Sequence, residues 1–324
     1  MYTPPFTITN DILQLVAEIS EILGALSVSL GSQMPQPMLR KENQIRTIHS
    51  SLAIEHNSLT VEQMTAIING KHVLGAPNEI QEVKNAVQAY QLMLELDAFN
   101  EADLLKVHGL MMKDLVNRPG MYRNDSVGVF AGDVCLHMAP PAEYVPTHMQ
   151  NLFEWVRTTD VHPLISSCVF HYELEFIHPF GDGNGRMGRY WQTLLLSRWK
   201  GIFAWLPVET IVKENQQAYY DAIAKSDKMA DSSHFVIFML NCLLTSLRRE
   251  VTNKVANKVT NKIANKSDEK VLELIKKDNH ITISKICKTT GLSESGVKKI
   301  LASLKSAGFI ERRGSNKTGY WEVI

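Results

Sequence analysis

The sequence predicts a mainly α-helical body carrying one β-hairpin, followed by a small α/β winged helix-turn-helix domain. Three observations carry that expectation. Apolar residues recur at helical spacing through most of the first 250 residues. One Pro/Gly-rich stretch with two β-type runs interrupts them at 118–146. At residue 251 the composition turns abruptly basic and repetitive. A length of 324 residues suggests two domains at roughly 100–200 residues each. With 44% apolar and 21% charged residues, disorder and collagen-like repeats are excluded for the bulk of the chain. The formal net charge of zero is a sum of opposites: residues 251–324 hold 15 basic and 7 acidic side chains, and the rest hold 19 and 27. That split reads as a basic tail domain on an acidic body.

The elements follow in order. Ile12, Leu13, Leu15, Val16, Ile19, Ile22, Leu23 and Leu26 form one apolar helix face over 11–30. Gly31–Pro37 reads as a loop, and 38–56 as the next helix. Leu59–Ile68 holds a helix start with Thr60 as N-cap and Gln63 three residues on. Asn78–Leu96 is a long helical pattern without a breaker, and Glu101–Leu115 another. The runs Ser126–Phe130 and Val134–Met138 around Ala131–Asp133 predict a hairpin. Helices are predicted again at Thr147–Thr158, Pro163–Phe176, Gly185–Lys200, Asn215–Lys225 and Ser233–Glu250. The segment 251–266 repeats a four-residue unit, each with a β-branched residue and a Lys. Its apolar stripe would drift by about 40° per unit on a helix, and Val, Thr and Asn are mediocre helix formers, so it reads as an inter-domain linker of uncertain conformation, with a continued helix that packs on a partner as the alternative. Glu269–Lys277, Ser284–Thr290 and Glu294–Ser306 are predicted helices, with Ile281–Ile283 extended and Ser293 as an N-cap. Gly308–Arg312 and Tyr320–Val323 are predicted strands around a Gly314–Gly319 turn, which completes a winged helix.

Cys135, Cys168, Cys242 and Cys287 are scattered, with no CxxC pair, which suits a cytoplasmic protein with reduced thiols. Met1–Asn10 lacks the basic and apolar regions of a signal peptide. No apolar run reaches the ~18–20 residues that span a bilayer.

Chemistry concentrates in 177–189, which reads I-HPFGDGNGRMGR. Gly183, Asn184 and Gly185 feed a helix start, so several unpaired backbone N–H groups converge there. Such a nest at the positive end of a helix dipole is an anion site. Arg186 and Arg189 stand three apart on that helix, and two guanidinium groups beside the nest suit a polyphosphate. Asp182 would be repelled by naked phosphate, a conflict that a divalent cation such as Mg²⁺ resolves. His178, four residues upstream of Asp182, is a candidate base near neutral pH.

The string from His178 to Arg189 resembles the signature of the Fic family, HxFx(D/E)GNGRxxR, at every defined position. The wider resemblance runs from about residue 40 to residue 245. It implies a Fic-type helical core with a β-hairpin flap at 125–138, where Val127, Gly128 and Val129 would align a target segment by strand addition. It also implies that Asn215 to Tyr220 border the nucleotide; Tyr219 and Tyr220 as plain core aromatics is the alternative. Ser51 and Glu55 match the family's inhibitory-helix motif (S/T)xxxE(G/N), whereas His56 departs from the usual Gly or Asn and Asn57 follows it.

On this resemblance, 1–97 is an N-terminal region with the inhibitory helix, 98–250 the catalytic core, 251–266 the linker and 267–324 the winged helix. The implied activity is an autoinhibited protein adenylyltransferase, which transfers AMP from ATP to a Ser, Thr or Tyr hydroxyl of a target protein and releases pyrophosphate. His178 would take the hydroxyl proton and Asp182 would hold Mg²⁺. The Gly183–Gly185 amides and Arg186 would neutralise phosphate oxygens, Arg189 would hold the γ-phosphate, and Glu55 would compete for Arg189. Removal of AMP is a further implied possibility, as are self-modification and a homodimer through the N-terminal helices. Lys298, Lys299 and Lys305 on the tail's third helix, with Arg312, Arg313 and Lys317 on its wing, suit DNA phosphates or a protein partner. The alternative reading is a DNA-binding regulator that uses the Fic core as a nucleotide sensor.

Overall fold

The predicted helices form in the predicted order, and their ends explain themselves. The computed structural model describes residues 2–30, 37–126, 128–131, 134–260, 266–306, 310–313 and 319–323, in two units, Met1–Arg248 and Arg249–Ile324. In the first unit, α1 (Asn10–Leu30) precedes α2 (Pro37–Ile54). The rest of the predicted Gly31–Pro37 loop lies outside the described residues. Pro37 takes the first position of α2, where its missing N–H costs nothing. At the other end, His56 N–H donates to Ala53 O (3.3 Å) and Asn57 N–H to Leu52 O (3.1 Å). His56 itself has φ 68°. This is a Schellman turn with His in the place usually given to Gly, and a side chain there costs about 1–2 kcal/mol.

Helix α3 (Val61–Ile68) begins with the predicted capping box: Gln63 N–H donates to Thr60 Oγ1 (3.3 Å) and Thr60 N–H to Gln63 Oε1 (2.9 Å). Helix α4 (Pro77–Leu92) is shorter than predicted, because Met93–Glu95 tightens into one 3₁₀ turn before Leu96 becomes extended. Helix α5 (Glu101–Met111) stops before the predicted Leu115: Met112 leaves helical geometry (φ −106°, ψ 10°), and Asp114, at φ 60°, keeps the helix from resuming. The hairpin forms as β1 (Gly128–Ala131) and β2 (Val134–Met138). Gly128 stands opposite Met138 and Val129 opposite His137, and the register slips between Val129 and Phe130. Ser126 precedes the strand, and Val127 and 132–133 lie outside the described residues.

Helices α6 (Val145–Thr158), α7 (Pro163–Ile177), α8 (Asn184–Trp199), α9 (Val208–Glu214), α10 (Gln216–Met229) and α11 (Ser233–Thr260) follow. The short α9 was missed, because seven residues after Pro207 carry too little periodicity. The central pair is α7 with α8, and α2 packs against α9, α4 and α8. From Asn184 to Leu196 almost every α8 residue is buried, its two arginines included. The repeat is helical as far as Thr260, as the continued-helix alternative has it, and 261–265 lie outside the described residues. A helix already nucleated can extend through weak formers one hydrogen bond at a time.

The second unit holds α12 (Lys266–Lys277), α13 (Ile283–Thr290), α14 (Glu294–Ser306), β3 (Ile310–Arg313) and β4 (Tyr320–Val323). Val271, Ile275, Ile286, Val297, Leu301, Leu304 and Ile310 form its core. Thr282 caps α13 and Gly291, at φ 73°, ends it. Ile281 and Thr282 are therefore a turn and a cap, and Ile283 is already helical. Ser293 caps α14 through the Gly296 N–H (3.2 Å). Strand β3 is described from Ile310, and the predicted strand residues 308–309 and the turn residues 314–318 lie outside the described residues. Cys168 and Cys242 are buried and Cys287 half-buried, all as free thiols. No helix among the described residues is long and apolar enough to cross a membrane.

Candidate active site

The site is built where α7 ends and α8 begins. His178 caps α7 in a left-handed conformation (φ 49°, ψ 59°), which turns the chain sharply into the loop. Its Nδ1 lies 3.3 Å from Glu175 O. A carbonyl only accepts, so this contact puts the ring proton on Nδ1 and the lone pair on Nε2. Asn184 locks the loop: its Oδ1 accepts from Phe180 N–H (2.9 Å) and its Nδ2 donates to Phe180 O (2.9 Å). The Asn184 side chain is thus spent on geometry, and what it brings to a ligand is its backbone N–H. Gly183, at φ 87°, sits with its Cα so close to Met112 that a Cβ would meet Sδ at 2.8 Å.

Above this loop lies a cavity of about 550 Å³. Glu55, His178, Asp182, Gly183, Asn184, Gly185, Arg189, Tyr219 and Tyr220 all line it, so nearly every predicted nucleotide-site residue converges there. Tyr219 is buried, with its hydroxyl 3.1 Å from His171 Nε2 and donating to Glu175 Oε1 (3.2 Å). Tyr220 is 41% exposed at the cavity wall. Strand β2 lies against α10, which carries both tyrosines, so the hairpin backbone stands beside the cavity. Side chains of the predicted flap residues Val127, Gly128 and Val129 lie outside the description.

The two arginines diverge. Arg189 turns to α2: Nε donates to Ser51 Oγ (3.2 Å), and Nη2 to Ser51 O (3.0 Å) and Glu55 Oε1 (2.7 Å). The pair with Glu55 is a single contact, and Nη1 is buried with no hydrogen bond. Burial works against the Arg189 charge, but Glu55, Tyr219 and Glu175 more than offset it and hold its pKa above the usual value. Arg186, 4% exposed, is not a loose cation either. Its Nη1 donates to Glu82 Oε1 (3.1 Å) and its Nη2 to Asp182 Oδ1 (3.0 Å). A guanidinium in this packing requires counter-charges.

Several participants carry no sequence signal of their own. Glu175 lies one turn before His178 and faces the same cavity. Burial would raise its carboxyl, but His171, His178 and Arg189 hold it below the usual range. His108 accepts from Gly120 N–H at Nδ1 (2.8 Å), donates from Nε2 to Asp182 O (3.0 Å) and stacks on Phe180. Burial pushes its pKa down to about 4, so it stays a neutral strut. Arg123 clamps the loop from below, donating to His178 O (2.7 Å) and Pro140 O (2.5 Å). The end of α2 is held by Lys213 Nζ on Ala53 O (2.7 Å) and Gln216 Nε2 on Ile54 O (2.9 Å).

Among the described residues no group of three or more His, Cys, Asp and Glu is placed to hold a metal ion. Asp182 alone, 58% exposed on the cavity, suits a cation that brings its own phosphate and water ligands. In the second unit, Lys298 pairs with Glu294 (2.7 Å), Arg313 pairs with Glu311 and Glu322, and Arg312 stacks over Trp321. Lys299 and Lys305 are exposed on α14.

Comparison with known proteins agrees with this geometry. Residues 98–196 match the Fic/DOC family, and residues 265–311 match a winged helix-turn-helix DNA-binding family. A solved Fic family protein from Desulfovibrio desulfuricans G20 is similar over 100% of this chain and 98% of its own, at 44% identity and a TM-score of 0.75. The protein adenylyltransferase Fic of Nematostella vectensis is 28% identical over 67% of this chain and 50% of its own length. That of Aedes aegypti is 29% identical over 67% of this chain and 44% of its own. The chain thus spans about half the length of these two relatives.

Proposed function

The chain belongs to the Fic family, and from that membership we propose that it is an autoinhibited protein adenylyltransferase. The observation that carries the reading is the cavity itself, which gathers His178, the Gly183–Gly185 segment, Asp182 and Arg189 around one concavity of about 550 Å³.

The target hydroxyl attacks the α-phosphate of ATP, a new O–P bond forms, the bond to the β-phosphate breaks and pyrophosphate leaves. His178 takes the hydroxyl proton at Nε2, because Nδ1 is turned to Glu175 O. The backbone N–H groups at the start of α8 stabilise charge on the transferring phosphate, preorganised by Asn184 and His108. Arg189 holds the terminal phosphate and so sets the in-line orientation. Asp182 would hold Mg²⁺, which when bound neutralises phosphate charge. The single contact between Glu55 and Arg189 competes with the terminal phosphate and accounts for inhibition. The target backbone docks along the hairpin at Val127–Val129, and the chain itself is one available target.

The test uses ATP labelled at the α- or the γ-phosphate. Transfer of α-label to protein supports adenylylation, and transfer of γ-label alone would replace it with kinase-like chemistry. A second activity, duplex DNA binding by the winged helix, is favoured by the family match at 265–311 and the exposed Lys299 and Lys305.

A further inference from the structure

Arg186 stands between two carboxylates, only one of which belongs to the signature. Asp182 Oδ1 accepts from Arg186 Nη2 (3.0 Å) and from Gly183 N–H (2.6 Å). From the other side Glu82, on α4, accepts from Arg186 Nη1 at Oε1 (3.1 Å). The second Glu82 oxygen, Oε2, accepts from Asn57 Nδ2 (2.8 Å). Asn57 closes the turn that ends α2, two residues after Glu55. A continuous polar chain therefore runs Asn57–Glu82–Arg186–Asp182, parallel to the Glu55–Arg189 contact and separate from it.

Asp182 cannot serve two cations equally well. Were it the only anion beside Arg186, a cation 4% exposed, drawing it toward a metal would leave a buried charge without a partner, which is strongly unfavourable. Glu82, 19% exposed, removes that obstacle. We propose that Glu82 is a positioning residue for the nucleotide site: it serves as the standing counter-ion of Arg186 and thereby leaves the Asp182 carboxylate available to the divalent cation that accompanies ATP. Asn57 fixes the orientation of Glu82, so the end of α2 touches the nucleotide site at two points. The inference rests on the adenylyltransferase reading.

Binding of a fluorescent ATP analogue, titrated with Mg²⁺ and repeated in EDTA, tests it without relying on turnover. Glu82→Gln keeps the shape and removes the charge. The Mg²⁺ concentration for half-maximal binding should rise about three- to tenfold, while binding in EDTA stays unchanged. Glu82→Asp keeps the charge and should stay within about twofold of the unsubstituted chain. In an Asp182→Asn background, Glu82→Gln should cause no further shift in the Mg²⁺ requirement. An unchanged requirement in Glu82→Gln, or equal weakening with and without Mg²⁺, would overturn the proposal, as would a shift in Glu82→Asp as large as in Glu82→Gln. If the unsubstituted chain binds no ATP analogue at any Mg²⁺ concentration, this inference and the adenylyltransferase reading fall together; if it binds and only the Mg²⁺ requirement fails to move, the inference falls alone.

Discussion

Arg189 Nη2 lies 2.7 Å from Glu55 Oε1, and the same guanidinium holds the carbonyl and the hydroxyl of Ser51 one turn earlier on α2. The end of α2 thus grips one arginine through an ion pair and two hydrogen bonds to uncharged acceptors. Removing the ion pair should loosen Arg189 while leaving its two contacts to Ser51. Glu55→Gly is expected to raise self-modification from α-labelled ATP by about tenfold or more, the scale of one charge-assisted hydrogen bond. Ser51→Ala should raise it by only about two- to fivefold, since it removes one long contact to an uncharged hydroxyl and keeps the backbone carbonyl and Glu55 on Arg189. An unchanged or lower rate in Glu55→Gly sinks the inhibitory assignment.

His178 combines a chemical and a backbone role, because it also caps α7 at φ 49°. His178→Ala should lower transfer by about 10²–10⁴-fold, the usual worth of a general base. His178→Asn, which tolerates the left-handed backbone, should fall as far while retaining fold and ATP binding. Full transfer in either variant removes His178 from the mechanism.

The string from His178 to Arg189 was legible because a contiguous loop and helix start supply most of one phosphate site, and their order is visible in the chain. Glu55 was legible only through family resemblance, since Ser51 and Glu55 are an ordinary pair on an amphipathic helix. Glu82, Glu175, His108 and Arg123 were not legible. They come from α4, α5, α7 and the segment before the hairpin, and tertiary packing alone brings them to the loop. The two carboxylates that flank Arg186 were not legible for a related reason: helical spacing places a side chain on a face, but does not reveal that Glu82 and Asp182 meet it there. Propensity left the conformation of 251–266 open, because it is a weak prior; α11 continues through the repeat as far as Thr260.

Gly188 marks a contact that the signature leaves undefined. A Cβ there would lie 2.5 Å from His171 Cδ2 and 3.3 Å from Glu175 Oε1. Gly188→Ala should destabilise by about 1–3 kcal/mol, read as a thermal midpoint lower by about 2–4 °C per kcal/mol. Gly181, with open space around it and no positive φ, is the control. Gly181→Ala should leave the midpoint within about 1 °C. Equal effects at the two positions would refute the crowding argument.

On the winged helix, ion pairing separates two neighbouring exposed lysines. Lys298 is paired with Glu294, and Lys299 is exposed. In duplex DNA binding measured against salt, Lys299→Ala should reduce the slope of log K against log[salt] by about 1, as expected for one lost phosphate contact. Lys298→Ala should reduce it by less. Equal slopes in all three proteins would remove α14 from the phosphate interface.

Glu209, on α9, is the last buried acid behind Arg189. It is 2% exposed, its Oε1 lies 3.3 Å from Thr193 Oγ1, and Oε2 makes no hydrogen bond. Burial pushes its pKa up from 4.5 to about 7. Below the unfolded value both states are protonated and the neutral carboxyl contributes fully to stability. Between that value and about 7 the unfolded chain releases the proton that the folded chain keeps, so the contribution is lost as pH rises. Glu209→Gln stays neutral throughout. Its stability relative to the unsubstituted chain should therefore improve by about 3 kcal/mol, an order-of-magnitude figure, between pH 4.5 and pH 8. Glu173, which burial likewise pushes up to about 7, is present in both proteins and cancels in the difference. Denaturant unfolding of the pair at both pH values decides it: a gap that does not change with pH means that Glu209 is already ionised in the folded chain at acidic pH.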